Sequence, residues 1–430
     1  MGLLIAILIA ALIAFGIYRW RAMRLEELPA WVPPALFGLK LLFGFALWAV
    51  YTFYYKDRST SDIYKFYDDA HYIHTACGEN KAAFIGLMTC REDSSLTAYT
   101  SQMKNWERNF TDRMPFNENR FMIRLNAAMM LLSGENMHLH TVFFCLLSFI
   151  GCILLLKVFQ RFLPDGKKKW ALLTMLFPSF LFWTSGGLKE SIMILALGLL
   201  LYGFLSIRER KFVTVLSFLA GALLLFVIKY FLLLCLLPAI VAYYILSGKT
   251  DMKAAGIKYL AVLALSVAVV AIVSPLAPKL DFVFLIAMKQ KHAIAEAMYM
   301  KAGSYSYVPP LEQSIWSILK NLPVGLWNAM EKPYLWHTRN PMMLLSALEN
   351  LALIALLVFA ILYKTKRTEI NFNLLFFILA CTIPYLCLIG IMTPVLGNLV
   401  RYKVVVMPLL IYVAVYVADI RRGRLLLNSR

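Results

Sequence analysis

Three aspartates crowd the stretch TSDIYKFYDDAHYIHTA at 60–76: Asp62, Asp68 and Asp69. Tyr64, Tyr67, Tyr72, His71 and His74 stand among them. Asp62 and Asp69 are seven apart, so a helix puts both on one face, with Tyr72 close to the same stripe. A carboxylate held in this way is a general base for a hydroxyl group. The same acids suit a divalent cation shared with a diphosphate. His71 and His74, at i and i+3, suit a metal too. The pattern demands no cofactor, and a divalent cation stays open. A plain alternative is a polar juxtamembrane helix whose aromatic rings sit at headgroup level.

Cations are the second chemical ingredient. Lys104, Arg108, Arg113, Arg120 and Arg124 interleave with Trp106, Phe110 and Phe116. They suit lipid phosphates or a diphosphate leaving group, or they pair with Glu107, Asp112 and Glu118. Lys189 and Glu190 fall in WTSGGLKES between two apolar runs, where the glycines permit a tight return or a broken helix. Ionisable groups at such depth are functional candidates by default. Lys189 reads as a phosphate binder or as a snorkelling lysine, and Lys229 marks a further turn between apolar runs. Lys40, seven residues into its run, reads as structural. A later polar segment carries Tyr305, Tyr307, Pro309, Pro310 and WHTRNP, which suits a substrate cover. There His337 is an acid–base candidate or a loop hydrogen-bonder, and Arg339 is a phosphate clamp. Arg401 and Lys403 follow in GNLVRYK. Glu135, in the turn Ser133-Gly134-Glu135-Asn136, either serves the acidic site or starts a helix. One acidic cluster with Lys189, Lys229, Arg339 and Arg401 around it points to an anionic lipid substrate.

The elements that must position these groups are membrane helices. Of 430 residues, 61% are hydrophobic and only 16% charged, against about 25% in an average soluble domain. A net charge of +19 suggests nucleic acid only if it forms one patch; here it falls in short clusters between apolar runs, so no nucleic-acid partner is expected. Apolar runs at 2–18, 33–54, 137–157, 171–184, 190–206, 212–228, 230–246, 259–275, 342–363, 370–390 and 403–419 predict about eleven transmembrane helices. The run 121–133 carries Arg124 and Asn126 and reads as an interfacial helix. Basic clusters follow the first run and recur at every second gap, from Arg19/Arg21/Arg24 to Arg421/Arg422/Arg424. That pattern places the N-terminus outside and the C-terminus in the cytoplasm. The first run, with its positive charges after it, reads as a retained anchor.

The expected architecture is all-α and polytopic: one integral membrane domain over 1–430, with long non-cytoplasmic loops at 55–136 and 276–341. No GxxxxGK[ST], GxGxxG or HExxH pattern is present, which excludes an in-chain ATP site of the usual kind. Of seven cysteines, only Cys77 and Cys90 lie in a polar segment; they form a disulfide or stay as loop thiols.

Asp68-Asp69-Ala70-His71-Tyr72 resembles the Asp-(Asp/Glu)-x-x-Tyr type motif of the GT-C superfamily of membrane glycosyltransferases. FPSFLFWTSGGLKES, RNPMMLLSALENL and NLVRYK resemble bacterial envelope-polysaccharide membrane proteins. The resemblance implies an acid in the first outer loop, carried to Asp68 or Asp69, and a polyprenyl-phosphate or polyprenyl-diphosphate sugar donor. It implies transfer to a glycan, lipid or protein acceptor at the outer face of the bacterial inner membrane, among membrane lipids, with inversion in a single displacement. The chain departs from the family in one respect: an extra run, 2–18, precedes the acidic loop. An O-antigen-type polymerase or ligase, and a lipid-linked glycan transporter, are the rival readings.

Overall fold

In the computed structural model the described residues are 1–55, 58, 61–89, 94–106, 117–246, 251–277, 281–338 and 341–419. The helices of the first half are α1 (Gly2–Arg19), α2 (Val32–Ala49, prolonged by a π turn Val50–Tyr54), α3 (Asp62–Glu79), α4 (Lys81–Met88), α5 (Thr97–Thr100), α6 (Glu118–Ser133) and α7 (Met137–Phe162). A 3-10 stretch, Lys168–Met175, leads to α8 (Pro178–Trp183), α9 (Lys189–Leu205) and α10 (Phe212–Ile245). Then come α11 (Met252–Leu276), α12 (Phe282–Tyr299), α13 (Ile315–Glu331), α14 (Pro341–Leu362), α15 (Phe372–Met392), α16 (Leu396–Lys403) and α17 (Met407–Val417). There is no strand among the described residues, only two isolated bridges, Tyr305 with Val395 and Lys364 with Ala418.

The protein is an all-α, multi-pass membrane protein. Among the described residues seven helices are long and apolar enough to cross a bilayer: α1, α2 with its π turn, α7, α10, α11, α14 and α15; α16 and α17, bent by 55°, make an eighth if taken as one span. Three features separate this number from eleven. Residues 171–184 do not form one helix but a 3-10 stretch and the six-residue α8. The helix over 190–206 has 17 residues. The runs 212–228 and 230–246 join in one helical stretch that leaves helical geometry at Lys229 (φ −154°, ψ 68°), the residue expected at a turn.

Two compact units divide the chain: residues 1–162 with 181–229, and residues 163–180 with 230–430. In the first unit, α7 and α9 touch backbone to backbone. A Cβ at Gly151 would lie 2.4 Å from the Ile194 carbonyl oxygen, and one at Gly198 2.5 Å from that of Gly151. Small residues permit such approach where apolar lipid gives side chains no drive to associate. Helix α2 packs on α7 through Phe37 against Phe149, ring centroids 5.5 Å apart. Lys40 is fully buried and donates to Thr184 Oγ1 at 2.9 Å, the structural role expected of it. Helix α3 buries Ile63, Phe66, Ala70 and Ile73, a one-faced stripe, and α6 buries Met122, Ile123, Ala127 and Met130. Caps set the local boundaries: Asn80 Oδ1 accepts from Ala82 and Ala83 at the start of α4, and Gly134 (φ 56°) ends α6.

In the second unit α13 and α15 meet in the same way, a Cβ at Gly390 falling 1.9 Å from the Gly325 carbonyl oxygen. Gln290 of α12 ties two backbone segments together, 309–311 and the end of α15. It donates to the carbonyls of Pro309 and Ile391 at 2.8 and 2.7 Å and accepts from Leu311 N–H at 2.7 Å. Asp281, Ser314 and Asn371 cap α12, α13 and α15.

Candidate functional site

Helix α3 carries the acidic cluster, and the structure gives its three aspartates different surroundings. Asp68 is half-buried and forms a forked pair with Arg58, Nη2 to Oδ1 at 2.6 Å and Nε to Oδ2 at 2.9 Å. That bond holds the guanidinium pKa above its ordinary value, and Arg58 also lies 3.9 Å from the centre of the Tyr64 ring. Asp69 is buried, and its two oxygens accept the N–H groups of Lys104 (3.1 Å) and Asn105 (2.7 Å). Burial pushes its carboxyl pKa up; the amides at Asn105 and Lys104 pull against this, and the charge of Asp68 adds to the rise. Asp62 opens α3 and pairs with Lys65 at 3.3 Å.

Lys189 gathers the polar groups of this unit. Its ammonium lies 3.0 Å from Glu118 Oε1, donates to Asn119 Oδ1 at 2.9 Å and sits 5.1 Å from the centre of the Phe66 ring. The charges of Glu118, Lys229 and Asp62 act on it. The glycines of WTSGGLKES make the return that presents Lys189: Gly186 takes φ 112°, and its carbonyl accepts from Leu188 N–H and Ser191 Oγ at 2.8 and 2.6 Å. Asp69 contributes at one remove. It holds Asn105, whose carbonyl receives Asn119 Nδ2 at 3.5 Å, and Asn119 in turn receives Lys189. Asn117 and Arg120 fasten the same segment through the Trp106 carbonyl at 2.8 and 3.1 Å.

The opposite side of α3 meets the turn before α7. His71 Nδ1 and His74 Nδ1 both reach Glu135 Oε1, at 2.7 and 2.9 Å, and the Tyr67 hydroxyl donates to the Glu135 carbonyl. Glu135 takes a left-handed φ of 65° to arrive there. Desolvation raises its pKa, but the bonds and charges of the two histidines outweigh it and leave the carboxyl below its ordinary value. Burial and the nearby Glu135 charge push Tyr67 up to about 12. Both imidazole Nδ1 atoms are thus turned to a carboxylate, and among the described residues no group of three or more His, Cys, Asp or Glu is arranged to hold a metal ion.

The remaining candidates lie on several elements. Tyr72 is half-buried on α3 beside His71, with ring centroids 6.1 Å apart. Glu190 is buried on α9. Arg120 and Arg124 lie 5.1 and 4.9 Å from the Trp106 ring, and Arg124 donates to the Leu87 carbonyl at 2.7 Å; Arg108, Arg113, Phe110 and Phe116 lie outside the described residues. The side chain of His337, all of Arg339, and Cys90 also lie outside them, while Cys77 carries no disulfide among them. In the second unit Arg401 is buried, and the buried Lys403 bonds Asn350 Oδ1. Beside it Glu349 accepts from Ser179 N–H at 2.6 Å. The sequence reading passed over Asn119 as a ligand of Lys189 and Glu349-Asn350 as partners of Lys403. The second pair had a signal: a carboxylate and an amide side by side within an apolar run.

No family model matches the chain, and neither does any curated protein or any solved structure.

Proposed function

We propose that this protein is a membrane glycosyltransferase of GT-C-like character, moving a sugar from a polyprenyl-phosphate or polyprenyl-diphosphate donor to a glycan, lipid or protein acceptor on the non-cytoplasmic side of a bacterial inner membrane. The observation that carries the reading is an enclosed cation, Lys189, at the start of the apolar α9, held 3.0 Å from a carboxylate of α6, Glu118, in the same compact unit as the acidic helix that Asp62 opens. A phosphate-linked sugar needs that pair of chemistries. Asp62 takes the proton of the acceptor hydroxyl, whose oxygen attacks the anomeric carbon. The bond from that carbon to the phosphate oxygen breaks, and Lys189 and Lys229 offset the charge left on the polyprenyl phosphate. The anomeric centre inverts. Asp68, engaged by Arg58, and Asp69, engaged by two amides, serve to hold the loop.

In the same proposal the N-terminus lies outside and the C-terminus in the cytoplasm. The broken stretch 168–183 crosses as well. Eight residues of 3-10 helix rise about 16 Å and six of α-helix about 9 Å, close to the hydrocarbon thickness.

The test is transfer from a labelled polyprenyl-linked sugar by purified protein. Asp62→Asn is expected to slow transfer by roughly 100-fold or more, Lys189→Ala comparably, and Asp68→Asn only severalfold. Full activity in folded Asp62→Asn and Lys189→Ala overturns the reading. Turnover of diphosphate-linked oligosaccharides alone marks a polymerase or ligase instead.

A further inference from the structure

Lys189 is already occupied by an oxyanion, and that occupancy has a chemical meaning. The Glu118 carboxylate stands 3.0 Å from the Lys189 ammonium, the position a phosphate oxygen needs. The lysine is largely enclosed, its side chain 13% exposed, whereas Glu118 keeps 33% and has water to turn into. The neutral Asn119 Oδ1, at 2.9 Å, orients the ammonium without competing for its charge. Phe66 closes one side, its ring centre 5.1 Å away. Release of Glu118 opens the Lys189 ammonium to an incoming anion.

We propose that Glu118 is a resident counter-ion at Lys189 that the phosphates of a diphosphate-linked donor, or of the departing polyprenyl phosphate, must displace, and that it sets the preference of this site for phosphate monoesters and diphosphates over singly charged phosphodiesters, polyprenyl-monophosphate sugars included, which narrows the donor to the diphosphate-linked class. The inference rests on the transferase reading for the identity of its ligand. A dianionic phosphate outcompetes one carboxylate at the ammonium; a carboxylate or a monoanionic phosphodiester gains little by the exchange. Glu118 is therefore a specificity-determining residue, and its loss strengthens binding.

The experiment measures equilibrium binding of farnesyl phosphate, and of a phosphodiester lipid, phosphatidylglycerol, to the full-length protein in detergent micelles. Glu118→Gln is expected to bind farnesyl phosphate about tenfold more tightly and to gain more for phosphatidylglycerol, so that discrimination narrows. Glu118→Asp, which keeps the charge, stays near wild type. In a Lys189→Gln background the gain from Glu118→Gln disappears. A structural ion pair predicts the opposite sign: weaker binding and a lower Tm in Glu118→Gln. Weaker or unchanged binding in a folded Glu118→Gln protein overturns the inference. Tighter binding without sugar transfer by wild type sinks the transferase reading and leaves the counter-ion standing.

Discussion

Asp69 shows how a residue that looks catalytic in sequence can act through backbone. Its acidity and its spacing from Asp62 were legible. Its partners, the amides of Lys104 and Asn105, lie 35 and 36 positions away, and nothing in a helical period announces them. Asp69→Ala leaves both amides without their acceptor. The expected loss is about 1–3 kcal/mol, read as a lower Tm in detergent together with faster hydrogen exchange at 104–106. Asp69→Asn, which keeps one carbonyl oxygen, is expected to lose less. If both variants match wild type in exchange at 104–106, Asp69 does not hold the segment. Lys189 is the converse case. Its depth and its glycine-rich approach singled it out, while the order in which Glu118 and Asn119 meet it depends on the fold of α6 onto α3.

At the level of elements, long apolar runs were the most readable part of the chain, because period and composition repeat the same message over many residues. α1, α2, α14 and α15 match their runs closely, whereas α7 ends five residues beyond its run and α11 begins seven residues before its own. The stretch 171–184 does not, and local chemistry explains why: Pro178 cannot donate a backbone N–H within a continuing helix. Instead it begins α8, which follows a tighter 3-10 path. The crossing of α7 and α9 was invisible, since its signal is two lone glycines, Gly151 and Gly198, with no motif around them. Gly198→Ala sets a methyl group 2.5 Å from the Gly151 carbonyl. Overpacking there costs about 1–3 kcal/mol, seen as a lower Tm. Gly16→Ala, which meets nothing within 4 Å on α1, serves as the control and is expected to be neutral or slightly stabilising. Equal Tm values for the two variants would contradict the backbone contact.

Across the whole molecule, the proposed orientation rests on the basic clusters, one in each gap that the eleven apolar runs would turn to the cytoplasm. The thiols offer a way to test it. Cys145, Cys152, Cys235, Cys381 and Cys387 are buried, and Cys77 is half-buried on α3. In a Cys90→Ser background, a membrane-impermeant maleimide is expected to label Cys77 in intact spheroplasts. A cysteine introduced by Lys211→Cys is expected to label only after the membrane is opened. The reverse pattern puts the acids of α3 in the cytoplasm and removes them from lipid-linked sugars displayed outside.

The contact of α13 with α15 carries a mechanical corollary. A joint made of two α-carbons and a carbonyl has no rotamers with which to absorb strain. A tilt of α15 is therefore expected to carry α13 with it, as a rod welded at one point. The displacement continues past Glu331 to Lys332, whose ammonium grips Ser306 Oγ at 2.8 Å.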